Sequence, residues 1–252
     1  MNTQLDRALK RLHVKDAAGQ SFSIHVSEPV AGPPAHALVL LPAIAGVNDY
    51  IAGIARQYSD VGYLVAVVDY FSRVDAAPDL STPEHIGAAV ASIDDRQVLA
   101  DIESTLVWLR MRGIARERVG VLGYCIGGTY AVLAAAHPGG PACAAAYYGQ
   151  LRYRQTTELK PLDPISVAPR LHAPLLAHFG QMDRLIDAQE IADFGASLRS
   201  AQRHHEIYTY AGAPHAFDEW FRPAVFRPCA SREARERTMT FFDWHLRQSL
   251  PF

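Results

Sequence analysis

The stretch Gly123-Tyr124-Cys125-Ile126-Gly127-Gly128 lies between two apolar runs and decides how the chain around it must fold. The run before it, 119–122, predicts a buried strand, and the run after it, 129–136, predicts a helix. A strand that turns directly into a helix crowds its own backbone, so a side chain two positions before or after Cys125 would clash. We therefore expect a tight turn that sets the Cys125 sulfur at a helix N-terminus, where the helix dipole favours a thiolate.

The pattern Gly-x-Cys-x-Gly within this stretch is that of a nucleophile elbow, with cysteine in the place of the usual serine. The alternative is a glycine-rich turn around a buried and inert cysteine. Because the strand, turn and helix that the motif requires are all predicted here, the pattern favours a nucleophilic Cys125. The other two cysteines are interpreted differently, Cys143 as a small core residue and Cys229 as an incidental loop residue.

Length and composition limit the possible classes of protein. The chain has 252 residues, of which 49% are hydrophobic and 20% charged, and this predicts a single α/β domain over 1–252. The net charge of −2 gives no reason to expect nucleic acid or a membrane as a partner, and no run approaches the ~18–20 apolar residues of a membrane span. Three widely spaced cysteines and no signal-peptide core favour a cytoplasmic protein. For the oligomeric state we expect a monomer or a small homo-oligomer.

Strand-like and helix-like segments alternate along the chain. The predicted strands lie at 21–27, 37–41, 63–68, 119–122, 143–148, 175–179 and 205–210. The predicted helices lie at 49–61, 94–112, 129–136, 187–200 and 231–247. Two segments, 71–92 and 150–173, are expected to be irregular. This order predicts an α/β fold with a mostly parallel sheet and helices on both faces.

Loops at the carboxyl ends of three predicted strands carry residues suited to nucleophilic catalysis. Cys125 lies on one loop, Asp183 follows the sixth predicted strand, and His215 follows the seventh. This chain order of nucleophile, acid and base is that of an α/β-hydrolase triad. His215 would take or share the thiol proton, and Asp183 would orient the imidazole. Asp187 is an alternative acid, although it is better interpreted as the N-cap of the next helix.

Attack of a thiolate on a carbonyl creates an oxyanion, which needs N–H donors aimed at it. We expect these from the backbone of Ile126 and, on the loop after Pro42, of Ile44. His178 lies within an apolar strand and is interpreted as a hydrogen-bonded core residue. The histidines expected at the surface or in connectors are His13, His25, His36, His85, His137, His172, His204 and His245. Because no zinc-type spacing is present, we expect no metal and no cofactor.

These motifs together resemble those of the dienelactone hydrolases (carboxymethylenebutenolidases) of the α/β-hydrolase superfamily, from about position 21 to the last helix. The resemblance is carried by Ile44-x-Gly46-Val47-Asn48, Asp69-Tyr70, Gly123 to Gly128, Tyr147-Tyr148-Gly149, Gly180-x-x-Asp183 and His215-Ala216-Phe217. A cysteine elbow paired with a Gly-Val-Asn loop is specific, because serine-based members of the superfamily lack that pairing. The resemblance implies the superfamily's fold, a triad of Cys125, His215 and Asp183, oxyanion amides from Ile44 and Ile126, and hydrolysis of a lactone or ester.

Three positions depart from the pattern of that family. Dienelactone hydrolases have a glutamate just before the residue matched by Ile44, where it helps to generate the thiolate, and here that place is Ala43. The two arginines with which they bind the substrate carboxylate are matched by Glu219 and, by counting without gaps, Glu84. An acidic residue in place of a guanidinium would repel an anionic substrate. Other arginines that could replace the lost charge are Arg73, Arg152, Arg154 and Arg184.

Three functions are compatible with these residues. The first is a cysteine hydrolase that forms an acyl-thioester from a small-molecule ester or lactone and differs from dienelactone hydrolase in substrate recognition. The second is a true dienelactone hydrolase with carboxylate recognition rebuilt from other arginines. The third is a non-hydrolytic, thiol-dependent binding or sensor protein on the same scaffold. Aromatic residues that could contact the substrate, each with core packing as the alternative, are Tyr70, Phe71, Tyr124, Tyr148, Phe217 and Trp220.

Overall fold

A computed structural model of the protein describes residues 9–30, 32–74, 78–153 and 155–247, and within these ranges the strands form an eight-stranded sheet. The strands are β1 (Lys10–Lys15), β2 (Ser21–Ser27), β3 (His36–Leu41), β4 (Tyr63–Val68), β5 (Val119–Tyr124), β6 (Cys143–Tyr147), β7 (Leu175–Gly180) and β8 (His205–Tyr210). Their order across the sheet is β1-β2-β4-β3-β5-β6-β7-β8. β2 pairs antiparallel with β1 and β4, and all other neighbours are parallel, so the predicted mostly parallel sheet is confirmed.

Helices connect the strands and cover the sheet. They are α1 (Asp49–Asp60), α2 (Pro83–Ser92), α3 (Asp95–Met111), α4 (Ile126–Ala135), α5 (Pro164–Val167), α6 (Ala188–Ser200) and α7 (Pro228–Phe242). Short 3₁₀ turns lie at Arg116–Arg118 and Ala168–Arg170, and a π-helical turn, Asp243–Arg247, extends α7. Every residue of β4, β5, β6 and β7 is buried, so both faces of the central sheet are covered.

Three segments differ from the sequence prediction, one of them 150–173, which was expected to be irregular but contains the short helix α5 and a 3₁₀ turn. The segment 71–92 was expected to be irregular, but its last part is the helix α2, which begins after Thr82, a residue whose side chain accepts a hydrogen bond from the His85 amide. The strand β1 was not predicted. It forms the edge of the sheet, and only Val14 of its six residues is buried, so it lacks a strong apolar pattern.

Asp187 and the cysteines Cys143 and Cys229 each have a structural role predicted from the sequence. Asp187 caps α6 as predicted, because its side chain accepts a hydrogen bond from the Gln189 amide at 2.6 Å. Cys229 lies in the first turn of α7 and is exposed, so its assignment to a loop was wrong. Cys143 is fully buried in β6, as expected for a core residue. No helix in the described ranges is both long and apolar enough to cross a membrane.

The parallel strands bring the loops that matter to one edge of the sheet. Leu41 at the end of β3 pairs with Gly123 near the end of β5, and Gly180 at the end of β7 pairs with Tyr210 at the end of β8. The loops that follow β3, β5, β7 and β8 therefore all leave from the same edge. This edge is the candidate active site.

Candidate active site

Cys125 occupies the turn between β5 and α4 in a strained backbone conformation. Its φ is 55° and its ψ is −120°, a region that residues other than glycine rarely adopt. Two hydrogen bonds hold the turn: the Cys125 amide donates to the Tyr147 carbonyl at 3.0 Å, and its carbonyl accepts from the Thr129 amide at 3.2 Å. The backbone therefore fixes the direction in which the thiol leaves the sheet, with Sγ at the N-terminus of α4.

The glycines beside Cys125 are required by close backbone contacts. A Cβ on Gly123 would lie 1.9 Å from the Gly127 carbonyl oxygen. A Cβ on Gly127 would lie 2.1 Å from the carbonyl oxygen of Leu41, at the end of β3. The crowding expected from the sequence is thus present at both positions, and it comes from rigid backbone that cannot move aside.

The structure brings Cys125, His215 and Asp183 into a continuous chain of hydrogen-bonding atoms. Nε2 of His215 lies 3.3 Å from Sγ of Cys125, and Nδ1 lies 2.8 Å from Oδ2 of Asp183. The Asp183 side chain is fully buried, while that of His215 is 20% exposed. The other carboxylate oxygen of Asp183 accepts from the Leu185 amide at 2.8 Å. This geometry is that of a nucleophile, a base and the group that orients the base.

The electrostatics of the site favour a charged His215. Burial by itself would lower the pKa of His215, but the negative charge of Cys125, together with the hydrogen bond and charge of Asp183, outweighs burial and raises this pKa to about 10. Tyr148 packs edge-on against the imidazole, with 5.0 Å between the ring centroids. The residue after the histidine, Ala216, has a φ of 61°, so a second strained backbone position lies at the site.

Two backbone amides predicted to bind an oxyanion lie on the loops after the adjacent strands β3 and β5 and have no hydrogen-bond partner in the described ranges. Ile126 begins α4 directly after Cys125, and Ile44 lies on the loop after β3, the strand adjacent to β5. Among the residues that the structure describes, neither the Ile44 nor the Ile126 amide has a hydrogen-bond acceptor. Buried amides are almost always paired, so two unpaired ones on adjacent loops are available to bind an oxyanion.

The six aromatic candidates separate by burial. Tyr124, Tyr148 and Phe217 are at most 1% exposed and pack in one aromatic cluster, which favours the core-packing alternative for all three. Tyr70 and Phe71 are partly buried and pack edge-on against each other. Trp220 is 53% exposed.

A buried polar cluster that the sequence reasoning missed supports the loop after His215. Asp218 is completely buried and accepts hydrogen bonds from Tyr50 and Ser231, each at 2.5 Å, and from Arg235. Nε and Nη2 of Arg235 reach the two oxygens of Asp218 at 2.8 and 2.9 Å, so the pairing is bidentate. The cluster ties the His215 loop to α1 and α7. Its one signal in the sequence is an aspartate three positions after the histidine.

The three positions that depart from the family pattern have different surroundings. Glu219 is 6% exposed as a residue and pairs with Arg222 at 2.8 Å, so a partner balances its charge. Glu84 lies exposed in the first turn of α2. Ala43 is buried, and its carbonyl accepts a hydrogen bond from Gly46.

Two of the four candidate arginines are already paired. Arg73 bonds to Asp16 at 2.8 Å and to Asp101 at 2.7 Å. Arg152 lies 3.6 Å from Asp193 at the surface. Of the other two, Arg184 is exposed on the loop after β7, and Arg154 lies outside the described residues. None of the three described arginines has a contact with Cys125 or His215.

A cavity of about 290 Å³ opens beside residues 45–47, on the loop that carries the Ile44 amide. Arg11, His25, Phe71 and Ser72 also line it. Arg11 donates through Nε to Ser23, and His25 lies 3.5 Å from Asp69. In the described ranges no group of three or more His, Cys, Asp and Glu side chains is arranged to hold a metal ion.

Comparison with known proteins identifies the family of the chain. The model of the dienelactone hydrolase family matches residues 23–246. The chain belongs to the dienelactone hydrolase family. As a family member it is an ester or lactone hydrolase, which goes against the alternative of a non-hydrolytic binding or sensor protein.

Individual members of the family are similar over most of their length. A protein of Bradyrhizobium sp. named "Probable 2-oxo-3-(5-oxofuran-2-ylidene)propanoate lactonase" is 37% identical over 229 residues, which cover 90% of this chain and 91% of that one. A Yersinia pestis protein provisionally named carboxymethylenebutenolidase is 32% identical over 219 residues, 86% of this chain and 81% of its own.

The fold is confirmed by a solved structure. A Klebsiella pneumoniae protein provisionally assigned as a dienelactone hydrolase superposes with a TM-score of 0.84 at 26% identity, covering 93% of this chain and 98% of that one. The predicted α/β-hydrolase fold is therefore correct.

Proposed function

We propose that this dienelactone hydrolase family member cleaves its lactone or ester through a Cys125–His215–Asp183 triad and an acyl-thioester on Cys125. The observation that carries the proposal is the unbroken chain of contacts, 3.3 Å from Sγ to Nε2 and 2.8 Å from Nδ1 to Oδ2. The unpaired amides of Ile44 and Ile126 support it, because they can bind the oxyanion that such an attack creates.

The reaction proceeds in two halves. His215 takes the thiol proton, and the Cys125 thiolate attacks the carbonyl carbon, so that an S–C bond forms and an electron pair moves to the carbonyl oxygen. That electron pair then returns to reform the carbonyl, and the C–O bond to the leaving group breaks. The leaving oxygen keeps the electrons of the broken bond and receives the proton held at Nε2 of His215. Water, deprotonated by His215, then attacks the thioester and releases the acid, and Cys125 leaves as a thiolate.

This route forms the thiolate without a glutamate at position 43. The His215 imidazolium, whose pKa is raised to about 10 by Cys125 and Asp183, is the counter-ion of the thiolate at neutral pH. The N-terminus of α4 adds a favourable dipole. Because Ala43 has no carboxylate, the imidazolium must stabilise the Cys125 thiolate without the glutamate that helps to generate it in dienelactone hydrolases.

For the substrate we propose a neutral ester or lactone. Glu219 takes the place of a carboxylate-binding arginine, and its charge is balanced by Arg222 rather than left for a ligand. Arg73 is committed to Asp16 and Asp101. An anionic substrate would meet no described guanidinium at the positions that the family uses.

An anionic lactone is a second candidate, favoured by the cavity beside residues 45–47. Arg11 lines this cavity, and among the described residues its two terminal nitrogens have no acceptor. A lactone that carries a carboxylate on an exocyclic chain could direct it toward Arg11 while its carbonyl meets the Ile44 amide. The 37% identical Bradyrhizobium protein is named for a substrate of this kind.

The experiment compares a neutral 5-alkylidene-furan-2-one with its carboxylate-bearing counterpart, using wild-type protein, Cys125→Ala and Cys229→Ala. Cys229 is exposed and serves as the matched control. We expect turnover by wild type and Cys229→Ala, at least ~10³-fold less by Cys125→Ala, and a higher kcat/KM for the neutral lactone. Equal rates in wild type and Cys125→Ala would reject the triad, and a preference for the carboxylate would select the second candidate.

We also propose that residues 1–252 form a single domain, that the protein works as a monomer or small homo-oligomer, and that it resides in the cytoplasm. A reducing compartment suits a nucleophilic thiol, and all three cysteines are free in the structure. Gel filtration with light scattering measures the oligomeric state directly.

A further inference from the structure

Tyr70 carries a buried hydroxyl that has no hydrogen-bond partner in the described ranges. It lies two residues beyond the end of β4, on the edge of the sheet from which the catalytic loops leave. Its hydroxyl oxygen is inaccessible to solvent and contacts no acceptor or donor. An unsatisfied buried hydroxyl destabilises the folded state, so its retention calls for an explanation.

The Tyr70 ring packs against Tyr130 of α4, the helix that begins directly after Cys125, and its hydroxyl makes no hydrogen bond to Cys125. Burial raises the pKa of Tyr70 well above its usual range, and the remaining contribution is the negative charge of Cys125. No hydrogen bond joins the Tyr70 hydroxyl to Sγ, whose described polar contact is Nε2 of His215. The raised pKa keeps the phenol protonated at neutral pH, so it is available as a hydrogen-bond donor.

Packing against neighbouring rings holds the Tyr70 ring in place. Its centroid lies 5.6 Å from that of Tyr130 and 6.4 Å from that of Phe71, both edge-on. Tyr130 is itself anchored, because its hydroxyl donates to Asp95 at 3.0 Å and accepts from Lys160 at 3.2 Å. The Tyr70 hydroxyl is thus a preorganised donor that awaits an acceptor.

We propose that the Tyr70 hydroxyl donates a hydrogen bond to the leaving oxygen of the substrate, the ring oxygen of a lactone or the alkoxy oxygen of an ester. The substrate carbonyl oxygen can accept hydrogen bonds from two unpaired amides, those of Ile44 and Ile126. The leaving oxygen has only the proton that His215 carries. As the C–O bond breaks, the electron pair moves onto this oxygen, His215 supplies the proton, and Tyr70 stabilises the developing charge without giving up its own proton.

This inference rests on the proposed function and adds to it a catalytic residue, one that the chemistry of the leaving group can test. Phenyl acetates with increasingly basic leaving groups, from p-nitrophenyl to unsubstituted phenyl, are compared with an unactivated lactone in wild type and Tyr70→Phe. We expect a loss of kcat/KM within about threefold for the p-nitrophenyl ester, rising to about 10- to 100-fold for the phenyl ester and the lactone.

Two controls exclude a structural effect. Tyr208→Phe removes a tyrosine hydroxyl that bonds Glu206 near the surface and should leave the whole series unchanged. Tyr70→Phe should unfold at or above the wild-type temperature, because it removes a hydroxyl that bonds nothing. Its Cys125 should react with iodoacetamide at the wild-type rate, since no hydrogen bond joins the two residues.

The same loss along the whole series, or no loss at all, would overturn the inference, because neither outcome depends on the leaving oxygen. A changed iodoacetamide rate would also overturn it, since Tyr70 would then act on the thiol. These outcomes differ from failure of the proposed function, which is signalled by full activity in Cys125→Ala.

Discussion

A Cβ on Gly123 would lie 1.9 Å from the carbonyl oxygen of Gly127, so the turn that presents Cys125 admits no side chain two residues before it. The backbone fixes both the Cβ position of residue 123 and the Gly127 oxygen, so no side-chain rotation can remove the clash. We expect Gly123→Ala to destabilise the protein by ~3 kcal/mol or more and to lower activity in the fraction that folds.

Urea unfolding measures this cost, with Gly87→Ala as the matched control. Gly87 lies within α2, and a Cβ there would meet nothing within 4 Å. Since alanine favours a helix over glycine, Gly87→Ala should be neutral or stabilising by up to about 1 kcal/mol. Equal stability of the two variants would show that the elbow can relax.

The sequence predicted the elbow because its chemistry is local, with glycines, nucleophile and flanking apolar runs all within one segment. Asp183 and His215 were predictable because parallel strands place their loops at one edge, and Asp187 because a cap is a local device. β1 was missed since an exposed edge strand needs little apolar pattern, and α2 since its signals, Thr82 and Pro83, also suit a loop.

Contacts between distant segments could not be predicted in the same way. Whether Arg73 faces a substrate or two buried carboxylates depends on the packing of β1–β2 and α3 around it. The pairing of Asp218 with Arg235 and the orientation of the Tyr70 hydroxyl likewise depend on tertiary structure. Substrate recognition is therefore the part of the site that sequence motifs describe least.

The pKa of His215 provides a test of the ion pair. Burial would lower this pKa, but Cys125 and Asp183 together raise it to about 10. In a pH titration followed by NMR, we expect the His215 ring to titrate near pH 10 in wild type and at lower pH in Cys125→Ser, which lacks the thiolate charge. His178, whose pKa burial and Arg237 lower to about 3, is an internal control that should stay neutral above pH 5.

The sign of the effect on stability follows from the same shift. Because the pKa of His215 is higher in the folded than in the unfolded state, its contribution is full below the unfolded value of about 6.5 and is lost as the pH rises through about 10. The free energy of unfolding of wild type relative to that of Cys125→Ser should therefore decrease as the pH rises from about 6.5 to about 10. An equal His215 titration in the two proteins would contradict the pairing.

A buried ion pair joins Lys160 to Asp95, the first residue of α3. Nζ of Lys160 lies 2.8 Å from Oδ1 of Asp95, and both side chains are at most 5% exposed. Lys160→Met leaves the Asp95 charge buried without its cation, and we expect a loss of about 3–5 kcal/mol in urea unfolding. Lys10→Met, at an exposed lysine of β1, should change stability by less than about 0.5 kcal/mol.

A double variant separates loss of the pair from loss of packing. Lys160→Met combined with Asp95→Leu removes both charges, so it should be more stable than Lys160→Met alone. If the double variant loses as much free energy of unfolding as Lys160→Met and Asp95→Leu lose in total, the unpaired buried charge is not the cause of the destabilisation.

Glu219 should contribute to discrimination by substrate charge. By the sequence resemblance, Glu219 takes the place of an arginine with which the family binds the substrate carboxylate, and Arg222 is its partner. Glu219→Gln removes the repulsion and releases the guanidinium, so the ratio of kcat/KM for an anionic lactone to that for its neutral counterpart should rise about three- to tenfold. Glu28→Gln, at a glutamate with a 57% exposed side chain, should leave the ratio unchanged. An unchanged ratio in Glu219→Gln would mean that Glu219 does not face the substrate.

The most direct test of the proposed mechanism is the mass of the intact protein, quenched with acid during turnover of p-nitrophenyl acetate. We expect wild type to gain the mass of one acetyl group, located on the peptide that contains Cys125 and removed by hydroxylamine as a thioester would be. Cys125→Ala should gain no such mass, and Cys229→Ala should behave as wild type. An acetyl group on another residue, or wild-type turnover by Cys125→Ala, would contradict the account.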